Sequence, residues 1–279
     1  MRIAVTGGSG KLGRTVVRHL RDHGHQTINL DRAGDRGPGF VQIDLRDAGQ
    51  VLDALTGIDE QAPEGFDAVV HLGAIPAPGL ATNTATFQNN LIGTYNVFTA
   101  AIKAGITTIV TASSETVLGL PFDTPPPYIP VDEDYPARPE STYSLSKHLE
   151  EQLAIELTRW HPELKIIALR FSNVMDEEDY AQFPAFDADA RARKWNLWGY
   201  IDGRDSAEAV RLALEHPATG FDRFIIAAAD TVMSRDNTEL VAEVFPDVEV
   251  RGDISGTGTL LSIERARAVL GFEPQHSWR

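Results

Sequence analysis

The chain has 279 residues, 42% of them hydrophobic, and a formal net charge of −15 at pH 7, so it is long enough for one large domain or a domain with an appended lobe. This charge disfavours nucleic acid and anionic membrane surfaces as partners. The absence of cysteine excludes disulfides, thiolate nucleophiles and cysteine-ligated zinc, and the eight histidines lack metal-ligand spacing, so no metal is expected. Because no apolar run approaches membrane-spanning length and no leader precedes the first strand, we expect a cytoplasmic protein.

The first thirty residues predict a strand, a glycine turn and a helix that together bind a dinucleotide. A short apolar run at 2–5 leads directly into TGGSGKLG, and apolar residues then recur at helical spacing up to Gly24. Gly7, Gly10 and Gly13 let the chain turn tightly, let a pyrophosphate approach the backbone and let the helix pack close to the strand. The helix N-terminus then offers free N–H groups to the phosphates.

The second apolar strand, at 27–30, ends in Asp31, at the position where an acid that binds the adenine ribose is expected. Asp31 favours NAD, because the 2′-phosphate of NADP would meet a carboxylate. Arg32 beside it keeps NADP possible. The candidates for binding the cofactor in this part of the chain are Gly7, Gly10, Lys11, Leu12, Gly13, Asp31 and Arg32.

Two further strands add candidates. FVQI at 40–43 ends in Asp44 and Leu45, which could contact the adenine, although an ordinary helix-entry aspartate is nearly as well supported. FDAVVHL at 66–72 is a continuous apolar strand of the kind buried on both faces, and its His71 is predicted to be a satisfied core residue. Small residues after it would let a nicotinamide ribose lie against the backbone. The cofactor candidates here are Leu72, Gly73 and Ala74, and Ile75 is a substrate candidate.

The middle of the chain carries candidates for chemistry. A helix predicted from about Thr84 to Ala104 contains Asn90, and a buried amide on an apolar helix needs a partner. The strand at 107–112 delivers Ser113 and Ser114 at its carboxyl end, where open α/β sheets place their reactive groups. By itself, a serine at that place is more often a turn residue than a catalytic one.

A proline-rich segment and a helix follow. Residues 121–139 predict an irregular loop that is either a surface connector or a wall of the active site. The next helix begins near Ser141 and places Tyr143 and Lys147 on one face. A leucine stripe lies about 200° around from that pair, so one side is predicted to pack and the other to present a phenol beside an ammonium. The stripe comprises Leu145, Leu149, Leu153 and Leu157.

This pair of side chains has a chemical use. Bringing a tyrosine pKa from about 10 to about 7 requires roughly 4 kcal/mol of preferential stabilisation of the phenolate. An ammonium and an oxidised nicotinamide could supply much of it. Tyr143 could then remove a hydroxyl proton as hydride leaves carbon, while Ser114 holds the substrate oxygen.

These motifs also resemble a known family. They are TGGSGKLG at 6–13, Asp31, HLGA at 71–74, NLIGT at 90–94, SSETVLG at 113–119 and YSLSK at 143–147. Their order and spacing throughout residues 1–175 are similar to those of the extended short-chain dehydrogenase/reductase family, also called the NAD-dependent epimerase/dehydratase family. The resemblance implies a catalytic triad of Ser114, Tyr143 and Lys147, with Asn90 supporting the lysine or a proton relay. In that family Lys147 would also hydrogen-bond the nicotinamide ribose, so Tyr143 and Lys147 also count as cofactor-binding candidates.

The resemblance also implies the architecture, an α/β fold with a Rossmann-type doubly wound parallel sheet and a small C-terminal substrate lobe. An NAD-binding domain would span residues 1–170, and the lobe would span 171–279, interleaved with the main domain. Homodimers would be joined by a four-helix bundle built from the helices at 84–104 and 142–160.

The second lobe is predicted in less detail. KIIALR at 165–170 is a strand, and FSNV after it resembles the family's entry into the substrate lobe, where Asn173 is the residue that usually touches substrate. WNLWGYID at 195–202 resembles a strand that returns towards the core, and a helix at about 205–215 and the strand RFIIAAAD follow it. A terminal helix is predicted within 262–272, with Ser262 as its N-cap and Gly271 past its end.

Differences between this sequence and the family's motifs narrow the range of activities that the resemblance implies. Glu115 occupies the first acidic position of the dehydratase pattern, but Thr116 replaces the second acid, so a 4,6-dehydratase is disfavoured. The compact lobe and the GAIPAPG loop more closely resemble uronate dehydrogenases, which oxidise a free sugar acid and use an arginine for its carboxylate. Arg193, in a basic cluster with Arg191 and Lys194, is the candidate for that role, although a solvated helix face is the better-supported interpretation. The substrate candidates are Ile75, Ser114, Glu115, Asn173 and Arg193.

Three functions remain open. The favoured one is a dehydrogenase that oxidises a hydroxyl of a small sugar or sugar acid and releases NADH. The first alternative is an epimerase that keeps its NAD and returns the hydride to the other face of a nucleotide sugar. The last is a non-catalytic dinucleotide-binding regulator, and the intact serine, tyrosine and lysine disfavour it.

Overall fold

The computed structural model describes residues 1–57 and 65–279, and its core is a seven-stranded sheet in which all neighbouring strands are parallel. Its strands are β1 (Arg2–Thr6), β2 (Gln26–Asp31), β3 (Phe40–Gln42), β4 (Ala68–His71), β5 (Thr108–Ser114), β7 (Lys165–Phe171) and β10 (Gly220–Ile226). The strand order is β10-β7-β5-β4-β1-β2-β3, so the direction of winding reverses between β1 and β4. The predicted doubly wound parallel sheet is confirmed.

Helices cover both faces of this sheet because the strand residues alternate between two apolar cores. Ile3 and Val5 of β1 enter one core, whereas Ala4 enters the other. One layer contains α1 (Lys11–Asp22), α6 (Gly203–Glu215) and α8 (Glu264–Leu270), and the other contains α2 (Ala48–Leu55), α4 (Gly93–Lys103) and α5 (Thr142–Trp160). No helix of these described ranges has the length and apolar character needed to cross a bilayer.

A third apolar core belongs to the lobe beyond the sheet. It joins residues 117–135 to residues from 183 onwards, so the segment after β5 packs mainly with the C-terminal lobe, and Ile225 of β10 also contributes to this core. The lobe contains α7 (Asn237–Val244), the strand pair β6 (Tyr128–Ile129) and β11 (Glu249–Val250), and the pair β8 (Val174–Met175) and β9 (Ile201–Asp202). The described residues also form 3₁₀-helical segments at Glu115–Leu118, Glu177–Ala188 and Ala190–Asn196.

The predicted helix from Thr84 to Ala104 is interrupted. It consists of α3 (Asn83–Phe87), one π-helical turn (Gln88–Ile92) and α4, and Asn90 lies in the π turn. Such a turn re-aims side chains within an otherwise regular helix and is frequent at functional sites. The π turn therefore contains the asparagine, Asn90, that the sequence analysis marked as needing a partner.

The structure contradicts the predicted packing face of α5, because the leucine stripe is not its buried side. Leu145 is exposed and Leu149 and Leu153 are only half-buried, whereas Tyr143 and Lys147 lie on the buried face. Polar side chains occupy the buried face because each finds a partner there, as described below. Leu157 alone of the four leucines is fully buried.

Two other local predictions need correction. Ser262 does not cap the terminal helix, because α8 starts at Glu264 and Ile263 precedes it without a side-chain cap. The predicted strand at 195–202 shrinks to the two residues of β9 after a 3₁₀ segment. The left-handed conformation of Gly271 after α8 is confirmed, with φ at 69°.

Candidate active site

The glycine turn after β1 brings two backbones into close contact. A Cβ added at Gly7, which has φ of +71°, would lie 2.7 Å from Cα and N of Gly73 at the end of β4. A Cβ at Gly13 would lie 2.1 Å from the carbonyl oxygen of Gly7, so α1 can approach the turn only without a side chain there. Gly10 is more open, with only the Gly7 oxygen nearby, at 3.3 Å.

The N-terminus of α1 and Asp31 face the same space. Gly10 precedes α1 without a side-chain cap, and the first turn carries no acidic residue, so the positive end of the helix is free to bind an anion. Asp31 ends β2, and its Oδ2 accepts a hydrogen bond of 3.0 Å from the backbone N–H of Ser9. Arg32 beside it is exposed.

A cleft of about 960 Å³ connects this turn with the predicted catalytic residues. It runs along the carboxyl ends of β1, β2, β4 and β5, where the winding of the sheet reverses. Asp44, Asn90 and Arg193 do not line it. The predicted residues that do are Gly7, Gly10, Lys11, Leu12, Gly13, Asp31, Arg32, Leu45, Leu72, Gly73, Ala74, Ile75, Ser114, Glu115, Tyr143, Lys147 and Asn173.

Ser114 and Tyr143 meet in this cleft. Ser114 is the last residue of β5, Tyr143 lies in the first turn of α5, and both residues line the cleft. Ser141 caps α5 by accepting a 3.1 Å hydrogen bond from the backbone N–H of Ser144, which fixes the start of the helix and hence the position of Tyr143. Burial raises the pKa of Tyr143 above its usual value, although Lys147 and the nearby Ser114 hydroxyl favour the phenolate.

Lys147 is buried and paired with an acid. Its Nζ donates to the Ala112 carbonyl oxygen at 2.8 Å and to Glu150 Oε2 at 2.9 Å. Burial alone would lower the pKa of Lys147, but the carboxylate of Glu150 raises it. Burial of the phenol outweighs the positive charge of Lys147, and Glu150 opposes that charge further. The lowered pKa expected for Tyr143 therefore depends on the oxidised nicotinamide as well as on Lys147.

Asn90 contacts the loop after β4 rather than the lysine. Its Oδ1 accepts from the backbone N–H of Ile75 at 2.8 Å, and its Nδ2 donates to the Ile75 carbonyl oxygen at 3.1 Å. The described contacts of Asn90 include no bond to Lys147. Asn90 therefore holds the loop that carries Ile75 against the cleft.

The contacts of two other predicted residues, Asp44 and His71, show what each of them does. Asp44 lies outside the cleft and binds Arg46 through both carboxylate oxygens, and this bond lowers its pKa to about 2. It is not the helix-entry aspartate either, because Asp47 caps α2. His71 is a satisfied core residue as predicted, with ring nitrogens 2.7 and 2.9 Å from threonine hydroxyls. Burial, followed by the charge of Lys147, lowers its pKa to about 3, so the ring is neutral.

Arg193 is the clearest misplacement. It is buried, and its Nη2 donates to the Gly199 carbonyl oxygen at 3.1 Å. Its guanidinium lies 4.8 Å from the ring centre of Trp195 and 5.2 Å from that of Phe186. It is therefore neither a solvated helix face nor a group that lines the cleft, whereas Trp195 does line it.

Sequence reasoning missed several residues of the site. Glu150 could have been found, because it lies one helical turn after Lys147, the spacing of a helical ion pair. Ser9 lies inside the glycine motif, but nothing in the sequence indicates that its N–H binds Asp31. Trp195 lines the cleft and Asn196 bonds to Glu115 only through the packing of the lobe, and no local pattern marks either of them. Ser172 lies in the FSNV motif, but its bond to Glu115 could not be predicted from it.

The comparisons with known proteins agree with this fold. The model of the NAD dependent epimerase/dehydratase family matches residues 3–227, and the chain belongs to this family. It is 31% identical to L-arabinose 1-dehydrogenase (NAD(P)(+)) of Haloferax volcanii over 222 residues, which make up 77% of this chain and 82% of that protein.

Two further relatives show the range of the family. UDP-glucose 4-epimerase 2 of Oryza sativa subsp. japonica is 30% identical over 190 residues, 61% of this chain but only 44% of the epimerase. A crystal structure of a short-chain dehydrogenase/reductase superfamily protein from Agrobacterium tumefaciens with bound NAD has a TM-score of 0.74 and 27% sequence identity. That comparison covers 100% of this chain and 94% of the other.

The residues of the cleft fit NAD, the cofactor of this family. The uncapped start of α1 and the open backbone at Gly10 would hold the pyrophosphate, and Asp31 would accept hydrogen bonds from the adenine ribose. Position 73 has no space for a side chain, since a Cβ there would lie 2.5 Å from Leu45 Cδ1. Bound NAD supplies the hydride acceptor and the additional positive charge that Tyr143 needs.

We expect NAD to bind more tightly than NADP, by about 1 to 3 kcal/mol, because a 2′-phosphate would meet the carboxylate of Asp31. Calorimetric titration of both cofactors measures the difference, and Asp31→Asn should reduce it. Equal or tighter binding of NADP would mean that Arg32 overrides Asp31.

The pair of Lys147 and Glu150 predicts a shift in pH dependence. Glu150→Gln removes the negative charge that offsets Lys147, so the phenolate of Tyr143 should be stabilised and its pKa lowered. The rise of kcat/KM with pH should then move to lower pH than in the wild-type protein. Glu156→Gln, on the exposed side of the same helix, is the control and should leave the profile in place. A shift to higher pH would show that Glu150 acts mainly by holding Lys147 in position.

Proposed function

We propose that this protein oxidises a hydroxyl group of a small free sugar to a carbonyl, transfers the hydride to NAD and releases NADH. The observation that carries this proposal is the meeting of Ser114, Tyr143 and Lys147 at the end of a dinucleotide cleft. Tyr143 would take the hydroxyl proton, and Ser114 would hold the same oxygen through a hydrogen bond. Lys147 would bind the nicotinamide ribose and stabilise the phenolate.

The charges that line the cleft support a free sugar over a nucleotide sugar. Among the described lining residues the cations are Lys11, Arg32 and Lys147. The first two lie with the glycine turn and Asp31 at the cofactor end, and Glu150 offsets the third. The diphosphate of a nucleotide sugar would therefore meet no uncompensated cation at the substrate end, which disfavours the epimerase alternative. Similarity to an L-arabinose dehydrogenase over most of that protein's length supports the same choice.

Tyr143→Phe should lower kcat by about 10² to 10⁴, the range for loss of a general acid or base, and should leave NAD binding nearly unchanged. The measurements are NADH formation at 340 nm with a panel of free sugars and titration of NAD with the variant. Tyr135→Phe, at a buried tyrosine outside the cleft, is the matched control and should retain activity. Near-normal turnover by the Tyr143 variant would contradict the proposed base. Isomerisation of a UDP-sugar without net NADH would favour the epimerase.

We further propose that the protein forms a homodimer through α4, α5 and the π turn before α4. Large apolar side chains on these elements are exposed, with Ile92 at 44%, Tyr95 at 51% and Leu145 at 39%. Leu149 and Leu153 continue the apolar surface along α5.

A dehydrogenase that releases NADH also needs a pool of NAD, so we propose that the protein lies in the cytoplasm. Assay of its activity in cell fractions would test this proposal.

The dimer can be tested at one exposed position. Leu145→Glu should shift the protein to a monomer in sedimentation velocity experiments, because the substitution places a charge in the proposed apolar interface. Circular dichroism should show an unchanged helix content. A wild-type protein that sediments as a monomer at micromolar concentration would contradict the proposal.

A further inference from the structure

The substrate end of the cleft presents a buried carboxylate. Glu115 directly follows β5, is only 3% exposed and lines the cleft. Its Oε2 accepts a hydrogen bond of 2.6 Å from the Ser172 hydroxyl, and its Oε1 accepts one of 3.2 Å from Asn196 Nδ2. With these two donors the carboxylate keeps free acceptor capacity, and a sugar hydroxyl is a donor that can fill it.

Among the described residues that line this end of the cleft, no cation is free to pair with an acidic substrate. Arg193 has its guanidinium stacked on Trp195 and Phe186 and bonded to the Gly199 carbonyl oxygen. Within the described part of the chain, Lys147 is the remaining lining cation near the reaction centre, and it is paired with Glu150. A sugar carboxylate bound here would approach Glu115 without a counter-ion.

An aromatic wall completes the site. Trp195 lines the cleft, and the guanidinium of Arg193 packs on its ring. Asn173 and Ser172 lie beside Glu115 at the start of the lobe. Sugars expose an apolar C–H face and a rim of hydroxyls, and a ring beside hydrogen-bonding groups suits both.

We propose that Glu115 makes this site selective for uncharged sugars, by accepting a hydrogen bond from a substrate hydroxyl and repelling a substrate carboxylate. This inference rests on the proposed sugar dehydrogenase function and narrows its substrate class. It departs from the expectation that Arg193 would clamp a sugar acid.

The charge state of Glu115 adds a pH dependence to this selectivity. Burial raises the pKa of Glu115 to about 7, against the hydrogen bonds from Ser172 and Asn196 and the positive charge of Arg193. Tyr143 is the other titratable group that interacts with it. A sugar carboxylate stays ionised from pH 6 to pH 8, whereas Glu115 gains its charge as pH rises through that range. Repulsion, and with it selectivity, should therefore increase with pH.

The test compares sugars that differ only in charge. Galactose and galacturonate, and glucose and glucuronate, differ in a hydroxymethyl or carboxylate group, and L-arabinose lacks that carbon. At pH 8 we expect kcat/KM to favour the neutral member of a pair by at least about tenfold. Glu115→Gln should reduce this neutral-to-acid ratio by about tenfold, because it removes the charge and keeps the shape. Glu163→Gln, an exposed acid outside the cleft, should leave the ratio unchanged.

A second measurement needs no variant. The neutral-to-acid ratio of the wild-type protein should rise between pH 6 and pH 8, and taking a ratio cancels the titration of Tyr143, which affects both substrates. A uronate preference in the wild-type protein, or a ratio that is independent of pH and unchanged in Glu115→Gln, would overturn the inference while NADH formation still supports the dehydrogenase. If none of these sugars yields NADH, the proposed function fails and the inference fails with it.

Discussion

The buried polar face of α5 is the feature on which the reaction centre depends. Glu151 accepts from Ser113 of β5 at 2.6 Å and from two nitrogens of Arg170 of β7 at 2.9 and 2.7 Å. Lys147 binds the backbone of Ala112 on the same strand. Burial alone would raise the pKa of Glu151, but Arg170 holds it below its usual value. Because removing one partner of such a pair costs about 3 to 5 kcal/mol, α5 is held firmly against the strand ends.

The motifs of the cleft could be predicted from the sequence, whereas the packing face of α5 could not, because it depends on these buried contacts. The glycine turn, Asp31, Ser114 and the Tyr143 and Lys147 pair follow from local spacing, and the structure brings them into one cleft. The face of α5 that packs could not be predicted in the same way, because Arg170 and the Ala112 carbonyl lie far from it in the sequence. Periodicity therefore favoured the leucines, which are the more apolar but the less buried set.

Asp44 and Arg193 share a second cause of error, because each contacts neighbours close to it in the sequence instead of reaching the cleft. Asp44 was expected at the cofactor and is instead bound by Arg46 two residues later. Arg193 was expected at the substrate or in solvent and is instead stacked on two aromatic rings. A sequence shows which residues can carry charge, but which neighbour a long side chain contacts depends on the folded backbone around it, even where that neighbour is close in the sequence.

The balance of charge at the catalytic end of the cleft also bears on the relative affinity for the oxidised and reduced cofactor. Lys147 is offset by Glu150, and Glu115 adds further negative charge as pH rises through about 7. Such a centre stabilises the positively charged oxidised nicotinamide more than the neutral reduced one, because opposite charges attract strongly where water is excluded. An epimerase must hold its reduced cofactor until the hydride returns, whereas a dehydrogenase must release it. The charges around Lys147 therefore favour binding NAD and releasing NADH, as the proposed dehydrogenase requires.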